Sequence, residues 1–136
     1  MLSPAPQPDR AAPDPAPPRL LVVDDEPAIR ELLFLALRFE GWDVRTAEDG
    51  AGAVRAAREF APDAVLLDVM LPDMDGFEVL RRLRAEAPRL PVVFVTARDA
   101  PADRAAGLAA GGDDYLTKPF GLDDVVTRLR RLLAAG

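Results

Sequence analysis

The sequence predicts an α/β domain in which a parallel β-sheet is covered by helices on both faces. Three observations support this prediction. Short apolar runs alternate with longer helical segments, several of the runs are apolar at every position, and glycine or proline separates most neighbouring segments. Strands buried on both faces, with a helix between each pair, are typical of parallel sheets.

The first half of the domain contains three predicted strands and two predicted helices. The run at 20–23 is entirely apolar and is followed by Asp24 and Asp25. Pro27 suits the first turn of a helix, and length favours helix over strand for the apolar segment that runs to Glu40. Further strands are predicted at 44–47 and 64–68, with a second helix between Gly50 and Pro62. The residues predicted to face the core from that helix are Ala53, Val54, Ala57 and Phe60.

The second half repeats the alternation and ends in the clearest helix. A turn-rich loop at 70–76 precedes a helix that stops before Pro88, and a weaker helix covers 102–110. The last helix carries apolar residues at i, i+3, i+4, i+7, i+10 and i+11 from Leu122, which places them on one face. The remaining strands are predicted at 91–96 and 115–118.

This order of elements leaves few topologies, because crossovers between parallel strands are right-handed. We expect a flavodoxin-like (βα)5 doubly wound sheet with strand order 2-1-3-4-5. Ligands of such sheets bind at the carboxyl ends of the strands. The list of strands therefore also predicts where the functional site lies.

A proline-rich segment precedes the predicted domain. Residues 1–18 hold seven of the chain's 14 prolines, which cannot sustain helical hydrogen bonding, and offer little for a core to bury. We expect a disordered or polyproline-like tail at 1–18 and one domain at 19–136. Docking of the tail to a proline-recognition module is a less favoured alternative.

Composition excludes several kinds of chemistry. The 136 residues include no cysteine and no histidine, which excludes disulfides, thiolate or imidazole metal sites and histidine-based catalysis. The 17 basic and 23 acidic residues give a net charge of −6, which disfavours nonspecific binding to nucleic-acid phosphates. No apolar run approaches the ~18–20 residues that span a bilayer. We therefore expect a cytoplasmic protein without a membrane partner.

Polar side chains follow four of the five predicted strands. Asp24 and Asp25 follow the first strand, Asp68 ends the third, Thr96 the fourth and Lys118 the fifth. Two carboxylates about 4 Å apart repel by about 4 kcal/mol at an effective dielectric near 20, so the acids need a counter-charge. Lys118 and a divalent cation are the candidates, and oxygen donors select Mg²⁺ or Mn²⁺. Lysine, cation and hydroxyl beside a carboxylate nucleophile suit phosphoryl transfer.

Each of these residues also has a structural explanation when taken alone. The paired acids at 24–25 would cap the following helix, Asp68 would be a loop acid, Thr96 a strand residue and Lys118 a surface charge. All five fall at strand ends of one predicted sheet. This coincidence favours the functional interpretation.

Four segments together resemble the receiver domain of two-component response regulators. They are LVVDDEP at 21–27, LLDVMLPDMDG at 66–76, VTAR at 95–98 and GDDYLTKPF at 112–120. The resemblance covers roughly 19–133 and is greatest to the OmpR/PhoB subfamily, close to PhoP-type regulators. The winged-helix DNA-binding domain of that subfamily is not in this sequence, so DNA would be a partner only through such a domain.

The resemblance implies a role for each matched position. Asp68 would be the phosphoacceptor, taking a phosphoryl group from a phosphohistidine on a sensor histidine kinase. Asp25, Asp68 and the backbone carbonyl of Met70 would bind Mg²⁺ (or Mn²⁺) directly, and Asp24 mostly through water. Lys118 would pair with Asp68 and then with the phosphoryl group. Such a domain catalyses only its own phosphorylation and dephosphorylation, so we expect a signalling domain rather than an enzyme.

The resemblance also implies a conformational switch. The Thr96 hydroxyl would move to hydrogen-bond the phosphoryl group, and Tyr115 would swing inward into the vacated space. This would alter the face formed by the fourth helix, fifth strand and fifth helix, through which OmpR/PhoB receivers form homodimers. The intermolecular ion pairs of that family fall at Arg104 with Asp124 and at Asp114 with Arg128. The alternative is a solvated charged face with little energetic weight.

Three other functions compete with a phosphorylation-controlled receiver of a transcription regulator. A freestanding single-domain receiver, relaying phosphate or binding a protein target, is the runner-up with the same fold. A haloacid-dehalogenase-like phosphatase needs a second acid two residues after the nucleophile, where this chain has Met70. A flavin-binding flavodoxin needs a hydroxyl- and glycine-rich phosphate loop, where this chain has the acidic run 24–26.

Overall fold

A computed structural model of the chain describes residues 16–135. Most of the proline-rich tail predicted at 1–18 therefore lies outside the described residues. Strands and helices alternate throughout the described part. They are β1 (Arg19–Val23), α1 (Pro27–Phe39), β2 (Asp43–Ala47), α2 (Gly50–Phe60), β3 (Ala64–Leu67), α3 (Gly76–Glu86), β4 (Val92–Thr96), α4 (Pro101–Ala109), β5 (Asp114–Thr117) and α5 (Leu122–Ala135).

The five strands form one parallel sheet in the order β2-β1-β3-β4-β5, which confirms the predicted fold. Val23 at the end of β1 is in register with Leu67 at the end of β3. At the end of β4, Thr96 is in register with Thr117 of β5. The carboxyl ends of the strands therefore lie at one edge of the sheet, and β1 and β3 are direct neighbours there.

Both faces of the sheet are buried, which explains why its strands are apolar at successive positions. Along β1, Leu21 and Val23 pack into a core with residues of α2 and α3. Leu20 and Val22 point the other way, into a core with residues of α1 and α5. Alternating side chains along a strand thus fill two separate cores.

Helix α1 has apolar side chains on its exposed side as well as on its buried side. In α1, Leu33 and Leu37 are buried, whereas Leu32 and Leu35 are 44% and 58% exposed and Phe39 is 89% exposed. The helix that was predicted from the length of this segment is confirmed. Periodicity could not indicate it, because apolar residues surround the helix.

Within residues 16–135, no helix combines the length and the apolar character that crossing a bilayer demands.

The inward face of α2 is rotated relative to the prediction. Ala53 and Phe60 are buried as expected, but Ala56 is buried as well. Val54 and Ala57 are only partly buried at the margin of the core. Positions i, i+3 and i+7 form one stripe of a helix, and it is this stripe that contacts the sheet.

Candidate functional site

Three carboxylates meet at the carboxyl edge of the sheet. The N–H of Asp68 donates to the carbonyl of Val23 at 3.0 Å, and the N–H of Asp24 donates to the carbonyl of Ala47 at 3.1 Å. Strand pairing therefore continues one residue beyond β1 and β3. Carboxylate oxygens of Asp24, Asp25 and Asp68 lie within 4.8 Å of one another. Asp24 and Asp68 are buried and Asp25 is exposed.

Lys118 enters this cluster from the end of β5. Its backbone N–H donates to the carbonyl of Thr96 at 2.8 Å, and the Lys118–Pro119 peptide bond that follows is cis. Its Nζ lies 2.8 Å from an oxygen of Asp24 and 2.9 Å from an oxygen of Asp68. A third contact, also 2.9 Å, joins Nζ to Glu26.

Glu26 was not among the predicted site residues. The sequence signal that would have identified it is its place as the third acid of the run 24–26. Periodicity gave no reason to extend the site to it, because Glu26 follows the strand end by three residues and precedes a helix.

Burial and the hydrogen bonds of the cluster shift the pKa values of two groups. Burial alone would lower the pKa of Lys118, but hydrogen bonds to Asp24, Asp68 and Glu26 raise it above its ordinary value. Lys118 is therefore a permanent ammonium at neutral pH and not a general base. Burial raises the pKa of Asp24, although hydrogen bonds from Lys118 and from the N–H of Glu26 oppose that rise. A buried carboxylate with a raised pKa would gain from further positive charge nearby.

The donor set at this edge fits a hard divalent cation. The clustered carboxylates offer oxygen atoms, which are the ligands that Mg²⁺ prefers. Met70 lies two residues beyond Asp68, and its N–H donates to Asp68 Oδ1 at 2.9 Å. Its backbone is thus folded over the Asp68 carboxylate, while its side chain is half exposed.

The loop that follows Asp68 is fastened to two helices. The Asp73 carboxylate accepts hydrogen bonds from the N–H groups of Gly50 at 2.7 Å and Ala51 at 2.9 Å, at the start of α2. The Asp75 side chain caps α3 by accepting from the N–H of Glu78 at 2.9 Å. These contacts stabilise the loop beside the carboxylate cluster.

We expect Asp73→Asn to lower the free energy of unfolding by about 1 kcal/mol, because it weakens a charged cap on α2. The pKa of Asp73 lies below its ordinary value of 3.8, mainly through the hydrogen bond from Gly50. A lowered folded-state pKa stabilises the fold above the unfolded pKa, and this contribution disappears as pH falls through the folded value. Urea unfolding of the wild type and the variant should therefore differ at neutral pH and converge in the acid range.

The matched control for this prediction is Asp43→Asn, at an exposed position at the amino end of β2. It should leave the stability unchanged at both pH values. A deficit of Asp73→Asn that persisted undiminished in strong acid would contradict the role of the carboxylate charge.

Thr96, whose carbonyl accepts from the backbone N–H of Lys118, and Tyr115 are both completely buried. Thr96 Oγ1 accepts from the N–H of Arg98 at 3.4 Å, and the Tyr115 hydroxyl donates to the Arg98 carbonyl at 2.8 Å. A Cβ atom at Gly107 of α4 would lie only 2.7 Å from the Tyr115 ring. The Tyr115 ring is thus buried against Gly107, which leaves room for it, and the predicted movement of Thr96 and Tyr115 stays a prediction.

The four residues predicted at a dimer interface are only partly paired within the chain. Arg128 binds Asp114 at 2.6 Å and Asp124 at 2.9 Å. The guanidinium carbon of Arg104 lies 6.0 Å from the centre of the Tyr115 ring. Asp114 and Arg128 therefore pair within one chain, which the sequence did not indicate, and pairing between chains stays a prediction.

Comparison with known proteins identifies the family. The response regulator receiver domain matches residues 20–130. The chain belongs to this family. The probable transcriptional regulatory protein TcrX of Mycobacterium tuberculosis is 59% identical over 120 residues, which are 88% of this chain and 51% of TcrX. The transcriptional regulatory protein TrcR of the same organism is 52% identical over 120 residues, 88% of this chain and 47% of TrcR.

A solved structure supports the same assignment. The receiver domain of a Francisella response regulator superimposes with a TM-score of 0.82 and 33% identity, over 87% of this chain and 98% of that one. The receiver-domain family predicted from four short segments is therefore confirmed, and the chain is a receiver, a type of signalling domain. It spans about half the length of the curated relatives it matches.

Proposed function

We propose that this receiver domain accepts a phosphoryl group from a sensor histidine kinase onto Asp68. The observation that carries the proposal is the contact between Lys118 Nζ and Asp68 Oδ2 inside a cluster of three aspartates. An oxygen of Asp68 attacks the phosphorus of a phosphohistidine, a P–O bond forms and the P–N bond breaks. The imidazole nitrogen leaves with the electron pair and takes up a proton. Lys118 then also contacts the phosphoryl oxygens.

Asp25, Asp68 and the carbonyl of Met70 would hold Mg²⁺ directly, with Asp24 acting mostly through water. When bound, the cation neutralises charge that develops on the transferring phosphoryl oxygens. Asp24 and Lys118 keep the Asp68 carboxylate in place. The burial of Asp68 limits access of water to this carboxylate.

Thr96 and Tyr115 would transmit phosphorylation to the surface of the domain. Both contact the Arg98 backbone, so a movement of Thr96 toward the phosphoryl group would also shift Tyr115 of β5 and the neighbouring α4. We propose that this alters the α4-β5-α5 face and promotes a homodimer of a cytoplasmic transcription regulator, which binds DNA through another domain. The names of TcrX and TrcR favour this function over a freestanding receiver.

Chemical phosphorylation tests the proposal directly. Wild-type protein incubated with acetyl phosphate and Mg²⁺ should gain the mass of about one phosphoryl group per chain. Chelation of the metal should prevent this gain in mass, because the uncompensated carboxylates then repel the anionic phosphoryl donor. Absence of any labelling at saturating Mg²⁺ would contradict the proposed function.

A further inference from the structure

Glu26 contacts the central ammonium of the site from outside the aspartate cluster. Its Oε1 lies 2.9 Å from Lys118 Nζ, as close as Asp68 does. We propose that Glu26 is a positioning residue that holds Lys118 until a phosphoryl group replaces it, and that it thereby limits the affinity of the site for phosphoryl anions. This inference rests on the proposed phosphoacceptor function.

The backbone of Glu26 is held on both sides, so the contact is a built feature. Its N–H donates to Asp24 Oδ1 at 2.9 Å, and its carbonyl accepts from the N–H of Arg30 at 3.0 Å in the first turn of α1. Pro27 follows directly and restricts the conformation of the preceding residue. The Glu26 side chain therefore starts from a defined place beside Lys118.

Lys118 has as many carboxylate partners as it has N–H groups. An ammonium has three N–H groups, and Lys118 has three carboxylate partners, namely Asp24, Glu26 and Asp68. A phosphoryl oxygen that binds Lys118 must displace one of them.

The three carboxylate partners of Lys118 differ in the exposure of their side chains, and this determines which of them is displaced most easily. The side chains of Asp24 and Asp68 are 3% and 4% exposed, whereas that of Glu26 is 57% exposed. Water solvates a released Glu26 carboxylate, but a buried aspartate would be left without a counter-charge. Glu26 is therefore the partner that a phosphoryl group displaces at the lowest energetic cost.

Removal of the Glu26 charge should change two affinities in opposite directions. Without the competing carboxylate, Lys118 is more available to an anion. At the same time, the acidic edge attracts a cation less. A residue with a merely structural role would weaken both affinities or neither.

Titration calorimetry of the wild type, Glu26→Gln and Glu26→Ala tests the proposal, with beryllofluoride at saturating Mg²⁺ as the phosphoryl probe and Mg²⁺ alone as the cation probe. We expect both variants to bind beryllofluoride about threefold more tightly and Mg²⁺ about threefold more weakly, the range of an exposed ion pair. The control Glu31→Gln removes an equal charge from the exposed surface of α1 and should leave both constants unchanged.

Equal or weaker binding of beryllofluoride by both Glu26 variants would overturn the inference while leaving the proposed function intact. Failure of the wild type to bind beryllofluoride would instead overturn the proposed function, and the inference with it. The two failures are thus distinguished within one set of titrations.

Discussion

Asp68→Asn is expected to abolish labelling by acetyl phosphate, because the neutral amide is a poor nucleophile for phosphorus. Intact-mass measurement in the presence of Mg²⁺ should show a single unmodified species. The fold should survive, since the substitution removes one of several crowded negative charges and Lys118 keeps its contacts with Asp24 and Glu26. Circular dichroism and thermal unfolding check that point.

Asp43→Asn provides the matched control, since it makes the same chemical change at the opposite end of the sheet. It should be labelled as fast as the wild type. If Asp68→Asn still gained one phosphoryl mass, the nucleophile would be another residue and the assignment of Asp68 would be wrong.

Gly76→Ala should be severely destabilising and should also impair labelling. Gly76 begins α3 at the end of the loop after Asp68, and its N–H donates to the carbonyl of Val69 at 2.8 Å. A Cβ atom there would lie 2.5 Å from the backbone oxygen of Asp68 and 2.8 Å from Val69 Cα. Backbone atoms cannot turn aside as a side chain can, so the loop must move, at a cost of about 1–3 kcal/mol or more.

Gly121→Ala is the control for this substitution, because nothing lies within 4 Å of a Cβ atom added there. In chemical denaturation Gly76→Ala should be less stable than Gly121→Ala, and its initial rate of labelling should be lower. A Gly76→Ala protein with wild-type stability and labelling rate would show that the close approach of α3 to Asp68 is unnecessary.

Much of the fold was predictable from local patterns. The runs at 20–23 and 64–68 are apolar because both faces of the sheet are covered, and this property identifies a central parallel strand without any other information. The stripe that α2 buries was harder to predict. Val54 and Ala56 are two positions apart in an alanine-rich helix, so the sequence offers little contrast between its faces.

The site was predictable to the extent that it depends on strand ends. Asp68 and Lys118 are 50 positions apart, yet the strand order and the common edge were enough to bring them together. Glu26 contacts Lys118 across 92 positions, and its side chain follows no strand end. Likewise, the pairing of Arg128 within its own chain depends on how α5 packs beside β5.

By itself, the sequence of this receiver domain determined the parallel sheet, its strand order and the edge that carries the chemistry. These features follow from hydrophobic patterning, from the polar residues at the ends of four strands and from the right-handed crossovers that parallel strands require. Only the tertiary structure decided that three carboxylates share one ammonium, that Asp73 fastens the Asp68 loop to α2, and that Tyr115 packs against Gly107. Such contacts depend on distances of a few ångströms between side chains from separate elements, which no periodicity along the chain specifies.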